Sequence, residues 1–230
     1  MRDIVFLVAD NECAATLRGL LDLPTRHFKL GCAPFQFDPA LDLIVHPQKD
    51  PGVFSFGHLL LATKRKTHQR AVIILDEAWD GSPGAAAITA GIAGRVTAIP
   101  WMAGAFTVIC IAPELETWIW QNNPNVDAAF GFGGPNLRIW LRNTADFKGG
   151  QVIAPDPLAG LNALWPAGNP KPPDPKRAVE VTRAFCGSGP PSGVFNEITK
   201  RVSLCGCVDG AFLALRTTLQ TWFPAGGGAV

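Results

Sequence analysis

The chain has no tyrosine and only four histidines, all of them before position 70. That placement bears on metals. Cys186, Cys205 and Cys207 have no imidazole after them to complete a zinc set, and the Cys205-Gly206-Cys207 spacing fits no common zinc pattern. These thiols are expected to be structural. Cys13, on a predicted helix, and Cys110, inside a predicted strand, have the habits of reduced, buried cysteines. Long apolar runs are also missing. None approaches the roughly 20 residues that span a bilayer, so no membrane partner is expected. Met1-Arg2-Asp3 runs straight into a strand pattern without the apolar stretch and small-residue cleavage site of a signal peptide, which predicts a cytoplasmic protein. Neither sign of charge is in excess. With 20 Lys and Arg against 19 Asp and Glu, the chain exerts no global electrostatic pull on nucleic acid or anionic membrane. The densest basic stretch, residues 64–70 (KRKTHQR), reads as a solvated loop before a buried strand. No GxSxG elbow and no GxxxxGK[ST] loop occurs, which argues against an α/β-hydrolase nucleophile and places a nucleotide-binding sensor last among the function classes. Gly131-Phe132-Gly133-Gly134 follows no strand and reads as a turn.

Hydrophobic residues reach 47% against 17% charged, so the chain can build an ordered core. Three short runs rich in Val and Ile, residues 4–9 (IVFLVA), 70–75 (RAVIIL) and 106–112 (FTVICIA), predict strands buried on both faces of a parallel sheet. Helical patterns separate them. Residues 11–23 carry Ala14, Leu17, Leu20 and Leu21 on one face, with Asp10 or Asn11 as the cap and Pro24 as the stop. Residues 54–63, the Ala-rich 85–96 and a segment near 114–121 follow. Trp118 and Trp120 cannot share one helix face, so one is expected to point outward. Residues 28–37 read as extended, with a strand around 34–37, and residues 41–45 form another apolar run. From residue 122 the texture changes, with a short helix at 136–142 and a Pro- and Gly-rich excursion over 147–175. Helices are expected at 175–185, 192–202 and 209–222, the last striped by Phe212, Leu215, Leu219 and Trp222. A frayed tail is expected over 225–230. The predicted architecture is α/β: a mostly parallel, Rossmann-like sheet flanked by helices over residues 1–150, then a linker and a mostly helical part over 151–230.

Acids follow each predicted core strand. Asp10 and Glu12 come after the first, Asp76, Glu77 and Asp80 after the second, and Glu114 and Glu116 after the third. In a parallel sheet all strand carboxyl ends share one edge, where ligands bind. Acids distant in sequence can therefore meet in space, and a hard cation such as Mg²⁺ or Mn²⁺ is the natural partner for converged carboxylates. Two explanations fit this spacing: metal ligands for phosphoryl chemistry, or caps for the helices that follow. Asp10, Asp76 and Glu116 are the first candidates, with Glu12, Glu77, Asp80 and Glu114 second. Lys49 and Asp50, in the turn-rich loop 46–52 (HPQKDPG), are placed to reach the same edge, Lys49 as a stabiliser of phosphate charge. His46 and His58 are the best-placed histidines, and a structural role suits both. Residues 171–176 (KPPDPK) read chiefly as a rigid helix start with Pro175 in its first turn; the functional alternative is an arm presenting two cations to phosphate or to an acidic cluster.

An acid after strand one, an acidic pair after a central strand and a later acidic site together resemble the Toprim fold. Further segments are similar to toprim-related proteins of bacterial phage defence islands, in particular an accessory protein of the methylation-associated defence system. They are residues 8–12 (VADNE), 46–52 (HPQKDPG), 74–81 (ILDEAWDG), 113–120 (PELETWIW), 171–176 (KPPDPK) and 215–224 (LRTTLQTWFP). The resemblance implies a Mg²⁺-binding domain within a multi-protein antiviral system, with other defence subunits and DNA as partners and phosphodiester cleavage as the reaction. It would carry the metal role to Asp10, Asp76 and Glu116, with Asp10 or Glu12 orienting water as a general base. Two positions depart from the pattern. A Toprim domain opens on Glu-Gly where this chain has Ala9-Asp10-Asn11. Its Asp-x-Asp motif has Ala78 at the third position, with Glu77 and Asp80 nearby. A non-catalytic interaction subunit, with Trp118, Trp120, Trp140, Trp165 and Trp222 as candidate contact residues, is the alternative.

Overall fold

The computed structural model describes residues 1–99, 101, 104–121, 123–144 and 174–225. Residues 147–173 of the Pro- and Gly-rich excursion, Trp165 and Lys171 among them, and the expected tail beyond residue 225 lie outside the described residues. Four strands form one sheet: β1 Arg2–Val8, β2 Leu43–Val45, β3 His68–Asp76 and β4 Phe106–Ile111, in the order β2-β1-β3-β4. Every pairing is parallel.

Side chains of the central strands divide by their period of two. Ile4, Phe6, Val8, Val72, Ile74, Ile109 and Ile111 enter one core, whereas Val5, Leu7, Ala9, Ala71, Ile73 and Leu75 enter the other. Fully burying a side chain such as Phe6 or Ile73 contributes about 1.5–3 kcal/mol. This two-sided burial explains why the strands read as continuous apolar runs. The second core is closed by α4 (Lys49–Lys64) and α5 (Ala85–Ala98) through Val53, Leu61, Ile88, Ile92 and Val96. The first is closed by α1 (Asn11–Leu21) together with the C-terminal helices α9 (Pro175–Cys186), α10 (Pro191–Arg201) and α11 (Gly210–Trp222). The C-terminal helices thus share a core with the sheet. No helix among the described residues is long and apolar enough to cross a membrane.

Several local expectations are corrected. Pro24 does not merely follow the first helix. It starts another, α2 (Pro24–Leu30), as the first helical residue, where its missing N–H costs nothing. The strand expected around residues 34–37 is absent, and β2 is the apolar run further on. Between them lies the single turn α3 (Pro39–Asp42). The 46–52 loop is partly helical, because α4 begins at Lys49. The segment near 114–121 contracts to α6 (Glu116–Ile119). Trp118 and Trp120 are both buried. They avoid the conflict of helix faces because Trp120 has left the helix as its C-cap residue. Helix α7 (Pro124–Phe130) was not expected, and α8 (Leu137–Asn143) lies close to its expected position.

The amino-terminal sheet edge is held by a buried charge network. Asp42 is fully buried and bonded to the guanidinium of Arg2, to the Asp38 N–H at 2.7 Å and to His68 Nε2 at 3.0 Å. Burial alone would raise its pKa. Those partners outweigh burial and hold the carboxyl below its ordinary range.

Candidate functional site at the carboxyl edge of the sheet

The chain leaves β1 toward β2 on one side and returns past β1 to β3 on the other. The connections therefore part between the carboxyl ends of β1 and β3, the place where open parallel sheets bind ligands. Backbone hydrogen bonds continue the sheet into the loops at this edge. His46 N–H donates to Val8 O at 2.9 Å, Glu77 N–H to Ile111 O at 2.7 Å and Ala78 N–H to Pro113 O at 3.1 Å.

Asp10 follows β1. Its Oδ1 accepts the Cys13 N–H at 2.9 Å and caps α1. Asp50, in the first turn of α4, reaches across the parting of the strands: its Oδ1 accepts the backbone N–H of Asp76 at 2.8 Å. Asp76 ends β3. From the loop after β4 come Glu114, with its side chain 14% exposed, and Glu116, which is 7% exposed at the start of α6. Among the described residues, no hydrogen bond from another residue reaches the Glu116 carboxylate.

These five acids act on one another. Asp76 is held well above the ordinary carboxylate range, first by burial and then by the charges of Asp50, Glu116, Asp10 and Glu114. Burial, with help from Glu114 and Asp10, pushes Glu116 up to about 7 against the pull of its own backbone N–H and of Lys176. Asp50 and Glu114 are raised as well, again chiefly by burial. Lys176, in the first turn of α9, is the cation that faces them among the described residues, its Nζ 3.6 Å from Glu114 Oε2. That distance is too long for a hydrogen bond, so the contact is an ion pair. Burial would lower the Lys176 pKa, but Glu114, Glu116, Asp76 and Asp10 together raise it. Two thiols also feel the cluster. Cys13 is raised well above its ordinary value by burial first and then by Asp10, Asp76 and Asp50. Cys110 is pushed up to about 12, again chiefly by burial. Both remain neutral thiols, poor as nucleophiles or ligands.

Of the residues singled out from sequence, Asp10, Asp76, Glu114 and Glu116 are brought together. Glu77 is turned to another task, its Oε1 accepting the Ala85 N–H at 2.9 Å at the start of α5. Asp80 is exposed beyond β3, and Glu12 is half-buried in the first turn of α1. Lys49 is exposed at the start of α4 with a backbone φ of 52°. Asp50 is the loop acid that joins the cluster. A compact backbone places it: a Cβ on Gly52 would lie 2.3 Å from His46 Nδ1, so only glycine lets the buried imidazole close the turn. That imidazole nitrogen also accepts the Gln48 N–H at 3.1 Å. Asp50 reaches this edge as its place in the loop after β2 suggests, the same strand-end logic that found the other acids.

All five groups offer hard oxygen donors of the kind Mg²⁺ and Mn²⁺ prefer. The buried Glu116 carboxylate, which among the described residues has no donor from another residue, suits a cation. Among the described residues no three His, Cys, Asp or Glu side chains are arranged to hold a metal ion. Asp10 and Asp50 each spend one oxygen on a backbone N–H, and Glu114 faces Lys176. Ion binding at this edge would therefore require side-chain rotation. No family model, no curated protein and no solved structure matches the chain.

Proposed function

We propose that this chain is a Toprim-like subunit of a bacterial, methylation-associated antiviral defence system, binding a divalent cation at the carboxyl edge of its sheet to engage or cleave phosphodiesters. The observation that carries the proposal is the hydrogen bond tying Asp50 to the backbone of Asp76, with Asp10, Glu114 and Glu116 near enough for their charges to act on Asp76. Asp76 and Glu116 would be the direct ligands, and Asp10 would complete the set. A bound Mg²⁺ or Mn²⁺ supplies Lewis acidity, lowering the pKa of water and offsetting charge on a leaving oxygen. Asp50 holds the backbone at Asp76 through its hydrogen bond. Asp10 or Glu12 would orient water as a base, and Lys49, exposed at the head of α4, would meet phosphate charge. Other defence subunits and DNA are the partners of this reading, and the cytoplasm its location.

The test is cleavage of plasmid and single-stranded DNA with MnCl₂ by wild-type protein and by Asp76→Ala. The expected result is cleavage that falls at least about 100-fold in the variant, as for loss of a group that stabilises charge in the transition state. Equal cleavage by both would remove Asp76 from the chemistry.

A non-catalytic interaction subunit is the second reading. Phe56 and Leu59 favour it, one helical turn apart on α4 and 52% and 56% exposed. So does Ala78 in place of an acid. Cation binding without cleavage of either DNA is its signature.

A further inference from the structure

The acidic edge receives a cation from the far end of the chain, and the placement of that cation is built. Asp174 Oδ1 accepts the N–H groups of Lys176 at 3.0 Å and Arg177 at 3.2 Å, which fixes the start of α9. Pro175 is buried at the first helical position. Its carbonyl accepts the indole N–H of buried Trp120 at 3.2 Å, four residues beyond Glu116. The same short stretch of chain thus carries Glu114 and Glu116 and clasps the helix start bearing Lys176. The ammonium comes to 3.6 Å from Glu114 Oε2, a buried oxygen with no hydrogen-bond partner. Two residues on stands Glu116, more than nine-tenths buried, and among the described residues no hydrogen bond from another residue reaches its carboxylate.

We propose that Lys176 is a resident counter-ion of the carboxylate cluster, and that a divalent cation enters by displacing its ammonium from Glu114. This rests on the cation reading of the site and adds its regulation. An ammonium at Glu114 and a divalent ion among the neighbouring acids compete for the same negative charge, so the lysine sets a threshold for metal occupancy. Its side chain is 58% exposed. It can therefore swing into solvent without disturbing Pro175, Asp174 or the core, and solvent screening keeps its hold moderate.

The experiment is calorimetric titration of the full chain with MnCl₂ alone at pH 8, comparing wild type, Lys176→Gln, Lys176→Met and Lys176→Arg. Melting without metal checks that each variant is folded. The neutral variants are expected to bind Mn²⁺ roughly three- to thirty-fold more tightly than wild type, the range for removing one partly screened charge a few ångströms away. Lys176→Arg is expected to bind within about two-fold of wild type, because the positive charge is retained. Unchanged or weaker binding in both neutral variants, with wild type still binding, overturns the counter-ion role and leaves the cation reading standing. Absence of binding in every variant overturns both.

Discussion

At the scale of single residues, two buried acidic sites pull stability in opposite directions with pH. Asp42 has its folded pKa held down by Arg2, the Asp38 N–H and His68 against the effect of burial. Its contribution is present above its unfolded value and is lost as pH falls through the folded one. Glu116 runs the other way. Its pKa rises from an ordinary 4.5 to about 7, so its stabilising contribution is complete below 4.5 and disappears as pH climbs through about 7. Asp76 shifts in the same direction. Glu116→Gln, which cannot ionise, is therefore expected to melt about 2–5 °C above wild type at pH 8 without metal, with the difference shrinking toward pH 5. Thermal melting at the two pH values checks this. Acids fit for holding a cation are here acids that cost stability without one. Sequence exposed most of this cluster because Asp10, Asp76, Glu114 and Glu116 each follow a strand that its own Val and Ile content betrays. Lys176 was legible only as the second choice, part of an arm presenting cations to phosphate or to an acidic cluster. As the second residue of a proline-led helix it reads as a helix start. The indole bond from Trp120 to Pro175, across 55 positions, ties its helix start to the stretch that carries Glu114 and Glu116.

Between elements, the contact of α1 with α10 decides how the C-terminal part attaches. Gly19 makes that contact close: a Cβ there would stand 1.9 Å from Thr199 Oγ1 and 2.8 Å from the Asn196 carbonyl oxygen. Asn196 Nδ2 completes the seam by donating to Ala15 O at 3.0 Å. Because backbone lies in the way, the helices must separate to admit a methyl group. Gly19→Ala is expected to lose about 1–3 kcal/mol by denaturant unfolding, although alanine favours helix more than glycine does. A gain in stability would show that the two helices part easily. The period of the helices was legible where an amphipathic stripe existed, as in α11. It was not legible in α2 and α7, which are seven residues each and begin at Pro24 and Pro124. A proline marks a stop or a start equally well, and the packing of the helix behind it settles which. Trp118 shows the same limit. Its burial follows from a bond to Asp209 Oδ1 at 2.8 Å, and Asp209 also caps α11.

For the whole molecule, the sheet has two covered faces, and one of them is finished by the C-terminal helices. Phe195, Ile198, Phe212, Leu215 and Leu219 belong to the same core as Phe6, Leu17 and Val72. A chain ending at residue 144 would leave that core open, and it is expected to lack a cooperative thermal transition by circular dichroism. A soluble, cooperatively melting 1–144 fragment would establish an independent first domain. Parallel strands and alternating helices were legible from composition and run length. The shared core was not, because nothing in the periodicity of α10 or α11 names the surface it covers. The same closure brings α9 to the acidic edge, so the architecture and the candidate site depend on each other. The central claim is that the acids around Asp76 form a site for a divalent cation. Its most direct test is calorimetric titration of wild-type protein and Asp76→Asn with MnCl₂ at pH 8. Saturable binding by wild type, weakened at least about ten-fold in the variant by the loss of one charged ligand, is the predicted result. Equal binding by both proteins, or none by wild type, would contradict it.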